Sequence, residues 1–257
     1  MNIYVCIKQV PATETKIKIN GDSSGIDGTG VKWIISPYDE FAIEEALRVK
    51  EKNAGSQVTV VSAGPQRVQE AIRTALAMGC DNAVWIDTPE NIDSNMAAKA
   101  LAEALKKETK PDLIFTGKQA IDDDCSQVSQ LIACNMGIPY VTVALSAEYS
   151  ATEVTAKRET EGGTIEVVQL KVPCLVAAQK GMNEPRFASL PNIMKAKKKE
   201  IKTYKMADLG VSESDRRIKL SNLRLPPAKL AGKKLSGDTA AQVKELVRLL
   251  REEAKVL

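Results

Sequence analysis

The stretch GKQAIDDDC, residues 117–125, puts three adjacent carboxylates, Asp122, Asp123 and Asp124, between an apolar run at 113–115 and the helical pattern SQVSQLIACNMG. Carboxylates so placed can hold a metal ion, exchange protons or cap a helix. Neighbouring side chains point in different directions, so three in a row do not converge on one cation, which disfavours the metal. Acidic residues are favoured at helix N-termini, where they accept from free N–H groups and meet the positive end of the dipole. The same helix start can hold an anionic phosphate through its main-chain amides. On local residues alone, capping and a nucleotide loop both stay open.

Composition narrows the chemistry. The chain of 257 residues contains no histidine, which removes the commonest general base and the commonest zinc ligand. No GxxxxGK[ST] and no GxGxxG occurs, so neither a generic nucleoside triphosphatase nor a nicotinamide dehydrogenase has a motif to rest on. Five dispersed cysteines, Cys6, Cys80, Cys125, Cys134 and Cys174, without a CxxC pair, point to free thiols in a reducing compartment. The N-terminal residues read as a strand rather than a leader, and no apolar run approaches the roughly 20 residues of a membrane span. A cytoplasmic protein without direct membrane insertion is expected. The formal net charge of +3 is too small to argue for nucleic acid.

The elements that must position those residues alternate. Strand-like runs at 3–7, 57–61, 83–86, 113–115 and 140–143 are separated by helical patterns at 39–52, 66–78, 94–107 and 126–136. This rhythm predicts a doubly wound, mostly parallel α/β domain over residues 1–190. Residues 153–158 and 164–171, flanking Glu161-Gly162-Gly163, predict an edge β-hairpin. Ligands of such sheets sit at the carboxyl ends of the strands, which selects the loops 8–13, 36–39, 62–65 and 117–125. After Pro191 the composition changes: lysines stand at 195, 197, 198, 199, 202 and 205, and an amphipathic helix is expected at 238–254. The lysine run reads either as a solvated surface strand or arm, or as a docking surface in which Leu190 and Ile193 supply apolar contact beside the charge.

Taken together, VKWIISPYDEFAIEEALRVKE, IRTALAMG, GKQAIDDDC and NEPRFASLPNIMKAKKK resemble, in order and spacing over residues 2–211, the β-subunit family of the electron transfer flavoproteins. That resemblance implies an adenine-nucleotide α-hydrolase-like fold and a heterodimer whose α subunit holds most of an FAD. It implies AMP in this chain, held by Cys6, by Ser36, Pro37, Tyr38 and Asp39, and by Ala63. The stretch Asp122, Asp123, Asp124, Cys125, Ser126 and Gln127, continuing through Val128, Ser129, Gln130, Leu131, Ile132 and Ala133, would complete the site. It further implies that Leu190, with Pro191, Ile193, Met194 and Lys195, docks onto flavin dehydrogenases of the acyl-CoA dehydrogenase type, as in fatty acid oxidation, and that electrons leave to a quinone-linked acceptor. Such a subunit carries electrons without catalytic residues of its own, and residues 191–257 form a recognition segment and an arm that packs on the α subunit.

Several positions depart from the family pattern. Ser36 replaces a frequent Asn, Ala63 a frequent Cys, and Ser126, Val128 and Ser129 replace Asn, Thr and Gly. Lys8-Gln9-Val10-Pro11 and Val128 are similar to the electron-bifurcating branch, with a second FAD and NADH oxidation. The loops alone would also suit a non-redox adenine-nucleotide-binding protein.

Overall fold

Short β-branched runs interrupted by Gly, Pro and Asn become strands, and the amphipathic stretches between them become their cover. The computed structural model describes residues 1–229 and 231–257. In chain order the elements are β1 (Asn2–Cys6), β2 (Gln9–Pro11), β3 (Trp33–Ile35), α1 (Pro37–Lys52), β4 (Gln57–Gly64), α2 (Val68–Met78), β5 (Asn82–Asp87) and α3 (Ser94–Lys107). There follow β6 (Leu113–Gly117), α4 (Val128–Met136), β7 (Tyr140–Tyr149), β8 (Glu153–Glu159), β9 (Ile165–Lys171), β10 (Cys174–Ala178), α5 (Leu190–Lys198), β11 (Lys202–Lys205) and α6 (Thr239–Glu252).

A nine-stranded sheet runs in the order β11-β5-β4-β1-β6-β10-β7-β8-β9. Pairing is parallel from β11 through β7 and antiparallel for β7–β8 and β8–β9. Strand alternation sends Ile3, Val5, Val58, Val60, Leu113 and Phe115 into a core with α1 and α2. It sends Tyr4, Cys6, Val61, Ile86 and Ile114 to the other face, under α3 and α4. Because both faces are covered, all five residues of β6 and of β10 are buried, each large side chain contributing about 1.5–3 kcal/mol.

The chain passes from β1 outward to β4 and β5, then returns to β6 on the opposite side of β1. The direction of winding therefore reverses between β1 and β6, which opens a crevice at their carboxyl ends. That crevice is where the acidic trio's loop emerges.

Three features depart from the sequence expectation. Residues 174–178 form a strand where none was predicted, inserted between β6 and β7; a five-residue apolar run carries no periodicity to announce it. The lysine segment divides into two elements: residues 190–198 form α5, with Ser189 accepting the Asn192 N–H at 3.4 Å and Pro191 in the first turn. The following residues pair as β11 with β5. One compact unit accordingly spans Met1–Leu223, past residue 190 where the sequence reading closed the domain. A second unit, Arg224–Leu257, contains α6, capped by Asp238, with no buried residue and with Val243, Leu246 and Val247 exposed.

Candidate functional site

The crevice is built around Asp39. This residue lies in the first turn of α1, where Pro37 presets the backbone, and its side chain is buried. Oδ2 accepts the Lys8 N–H at 2.7 Å and Oδ1 accepts the Gly117 N–H at 2.8 Å. One carboxylate thereby ties the loop after β1 to the end of β6 across the reversal point. A Cβ on Gly117 would stand 2.5 Å from Asp39 Oδ1 and 2.7 Å from the Tyr38 carbonyl carbon, so only glycine permits this closeness. Burial pushes the Asp39 carboxyl up to about 7, against the pull of the two amides and of Lys8.

Lys8 closes the outer side. Its Nζ donates to Asp122 at 2.9 Å and to Asp123 at 2.9 Å. Burial works against its charge, but the two carboxylates outweigh that and raise its pKa. Asp123 experiences the reverse balance: burial pushes its carboxyl up, while Lys8 and the Cys125 N–H hold it below the ordinary range. Gln119 Nε2 reaches Asp124 Oδ1 at 2.5 Å, and the Ser126 hydroxyl donates to Gln119 Oε1 at 3.2 Å. Asp124 and Ser126 both adopt left-handed backbone, φ 50° and 52°. Two such residues two positions apart are a local cost that the surrounding bonds sustain, a pattern found at ligand loops.

The loop delivers the start of α4. Leu131 is the first residue there whose N–H closes on the preceding backbone, at Gln127 O, 3.0 Å away, so the amides of residues 128–130 face out of the helix start. Ser129 Oγ lies 2.8 Å from Thr116 Oγ1 and donates to Gly117 O at 3.2 Å, pinning α4 to β6. Two buried polar atoms near these loops have no hydrogen-bond partner among the described residues: Ser36 Oγ and Gln130 Oε1. Outward amides, unpartnered buried acceptors and a glycine-only approach fit a small polar ligand with an anionic end.

The predicted site residues take different places around the crevice. Cys6 ends β1, buried, its thiol pushed up to about 12 by burial and by Asp39, so it contributes shape rather than a thiolate. Tyr38 turns its ring beneath Lys118 Nζ, 5.2 Å from the centroid. Ala63 lies near the end of β4, partly buried beside Cys6's face of the core. Cys125 and Gln127 are exposed on the loop, and Val128 and Leu131 pack partly against the α3 side. Ile132 and Ala133 are wholly buried, and their side chains serve packing. The sequence reading placed Lys8 and Gly117 in rim loops without assigning either a contact, and it did not single out Thr116. A cation two residues beyond a strand, in line with a remote acidic run, was the available signal for Lys8.

The second region of interest is the segment leading into α5. Arg186 grips Glu44 of α1 with two nitrogens, Nε to Oε2 at 2.7 Å and Nη2 to Oε1 at 3.0 Å, and reaches Glu51 with Nη1 at 2.6 Å. Asn183 Nδ2 donates to Phe41 O and to Glu45 Oε2, both at 3.0 Å. Burial raises the Glu44 carboxyl, but Arg186 and Arg48 outweigh it and hold it low. At the other end of α5, Arg73 donates to the carbonyls of Ala196 and Lys199, and Lys199 Nζ donates to Cys80 O at 2.7 Å and Asp81 O at 3.0 Å. Between these clamps, Leu190 is 80% and Met194 60% exposed, Ile193 and Pro191 are exposed, and Lys195 faces solvent. Lys199 is tied inward, and Lys202, exposed, pairs with Glu108 at 2.7 Å; within α5, Lys195, Lys197 and Lys198 point their charge to solvent.

Among the described residues no helix is long and apolar enough to cross a membrane. Residues 25–209 match the model of the electron transfer flavoprotein domain family. The chain is 43% identical to the electron transfer flavoprotein subunit beta of Bacillus subtilis, covering all of both chains. It is 41% identical to the mouse subunit beta, over 97% of this chain and 99% of the relative, and 40% identical to that of Bradyrhizobium diazoefficiens over the full length of both. With an end-to-end match on that scale, and with the braced crevice and the clamped helix both inside the matched stretch, this chain belongs to the electron transfer flavoprotein family as a β subunit.

Proposed function

We propose that this β subunit joins an α subunit to form a soluble carrier that takes electrons from flavin dehydrogenases of the acyl-CoA dehydrogenase type and passes them to a quinone-linked acceptor, working in the cytoplasm. FAD bound chiefly by the α subunit supplies the reversible uptake of electrons. This chain's residues bind, orient and dock; none is asked to act as acid, base or nucleophile. The first unit is read as an adenine-nucleotide α-hydrolase-like domain whose crevice holds AMP as a structural ligand. The outward amides of residues 128–130 would take the phosphate, with Ser36, Ser126, Gln127 and Gln130 as polar neighbours. Cys6, Ala63 and the 36–39 turn would shape the wall. Asp122 and Asp123, whose two charges are half offset by Lys8, hold the loop in place and leave the phosphate to the amides.

The observation that carries this reading is the Asp39 brace at the sheet's reversal point, which sets two rim loops and the start of α1 as one unit. Docking falls to Leu190, with Pro191, Ile193, Met194 and Lys195 around it: an apolar contact supplies affinity while the cationic flank speeds encounter. The arm packs on the α subunit, a role supported by the exposed Val243, Leu246 and Val247 of α6, which line an otherwise unsatisfied apolar stripe.

The test is to purify the heterodimer, extract it with acid and count adenine ligands. About one FAD and one AMP per heterodimer is the expected result, set by one crevice per β subunit. Two FAD with no AMP, together with direct bleaching by NADH, would instead assign the chain to the bifurcating branch that Lys8-Gln9-Val10-Pro11 and Val128 are similar to.

A further inference from the structure

Resting on the reading of Leu190 as a docking contact, we propose that Phe187 is a second apolar anchor for the same dehydrogenase, and that Arg186 is the positioning residue that fixes its offset from Leu190. Phe187 is 98% exposed, whereas its neighbour Ala188 packs on the core. With Ala188 seated on the core, its neighbour Phe187 is left facing water. A single exposed apolar residue is ordinary on a protein surface. Here Phe187, Leu190, Ile193 and Met194 are all exposed within one short stretch, and such a cluster marks a contact surface.

The structure also shows how that surface is held. Arg186, adjacent to Phe187, is fixed by a two-pronged grip on the buried Glu44 and by a third bond to Glu51. A planar guanidinium on a carboxylate fixes direction as well as distance. Ser189 then caps α5, and Arg73 holds its far end. A segment ordered before encounter loses less entropy on docking, so the same apolar contacts give tighter binding. The occupant that fits is an apolar cleft on the dehydrogenase bordered by carboxylates, because Lys195, Lys197 and Lys198 flank the cluster and form no ion pair among the described residues.

The experiment uses the intact FAD-loaded heterodimer as the varied electron acceptor of an acyl-CoA dehydrogenase, with direct binding measured alongside turnover. Phe187→Ala is expected to raise KM and Kd about fivefold or more, as loss of an interface anchor does, with kcat, FAD content and Tm at wild-type values. Arg186→Lys keeps the charge but loses the fork, and is expected to raise KM although both anchors are present, with a smaller effect when Phe187 is already Ala. Wild-type KM for Phe187→Ala beside a raised KM for Leu190→Ala overturns the second anchor and leaves the docking reading standing. Wild-type KM for both alanine variants overturns the docking reading as well. Wild-type KM for Arg186→Lys, or an effect equal in the presence and absence of Phe187, overturns its positioning role.

Discussion

The crevice and the segment leading into α5 use the same helix in opposite ways. At its start, α1 turns Asp39 inward, and the carboxylate is spent on two main-chain amides. One to two turns later, α1 offers Glu44 and Glu45 to Arg186 and Asn183, and their grip frees Phe187 and Leu190 to face water. In the first region polar atoms are buried to tie two rim loops to a helix start, and in the second they are buried while neighbouring apolar atoms are exposed. A buried carboxylate therefore says little about function until its partners are known: Asp39 meets uncharged amides and is pushed up to about 7, whereas Glu44 meets guanidinium groups and is held low.

The largest expected effect tests that contrast through pH. Asp39 titrates at about 7 in the folded chain against an ordinary 3.8, so between those values the folded state binds more protons than the unfolded one. Its contribution favours folding at acid pH and is lost as pH rises through about 7. Relative to Asp39→Asn, wild type is expected to lose on the order of 3 kcal/mol between about pH 4 and pH 7.5, measured by urea unfolding of both proteins in parallel. A pH-independent difference would break the contrast between the two carboxylates.

Gly117→Ala comes next. Its new Cβ would press on Asp39 and the Tyr38 backbone, neither of which can retreat, so a loss of about 1–3 kcal/mol and a lowered nucleotide content are expected. Stability equal to wild type would mean that the brace is softer than its geometry. The smallest stability effect belongs to Leu190→Ala, within about 0.5 kcal/mol because the side chain is already in water. On the proposed docking role its cost is expected in dehydrogenase coupling, more than roughly 1 kcal/mol, with flavin content unchanged. A substantial drop in Tm for this variant would show that Leu190 packs rather than docks.

Particular residues show how far the sequence reaches. The alternation of apolar runs and helical patterns was sufficient for a mostly parallel α/β sheet, because period-two and period-3.6 burial are local properties written in neighbouring residues. The acidic run before a helix was legible as a loop worth attention, and the absence of histidine bounded the chemistry. Residues 174–178 could not be placed, since a buried central strand needs no alternation, and α5 could not be separated from an arm because it buries only Ala196 and so carries no apolar stripe turned to the core.

By itself, then, the sequence determined the class of sheet and the alternation of its strands and covering helices, consequences of short-range pattern. Only the tertiary structure decided that Lys8 pairs with Asp122 and Asp123 across more than a hundred residues, that Asp39 joins two strand ends, and that Arg186 is held by Glu44. Those pairings follow from strand order and from the reversal between β1 and β6, which bring remote residues together without leaving any local periodicity to read.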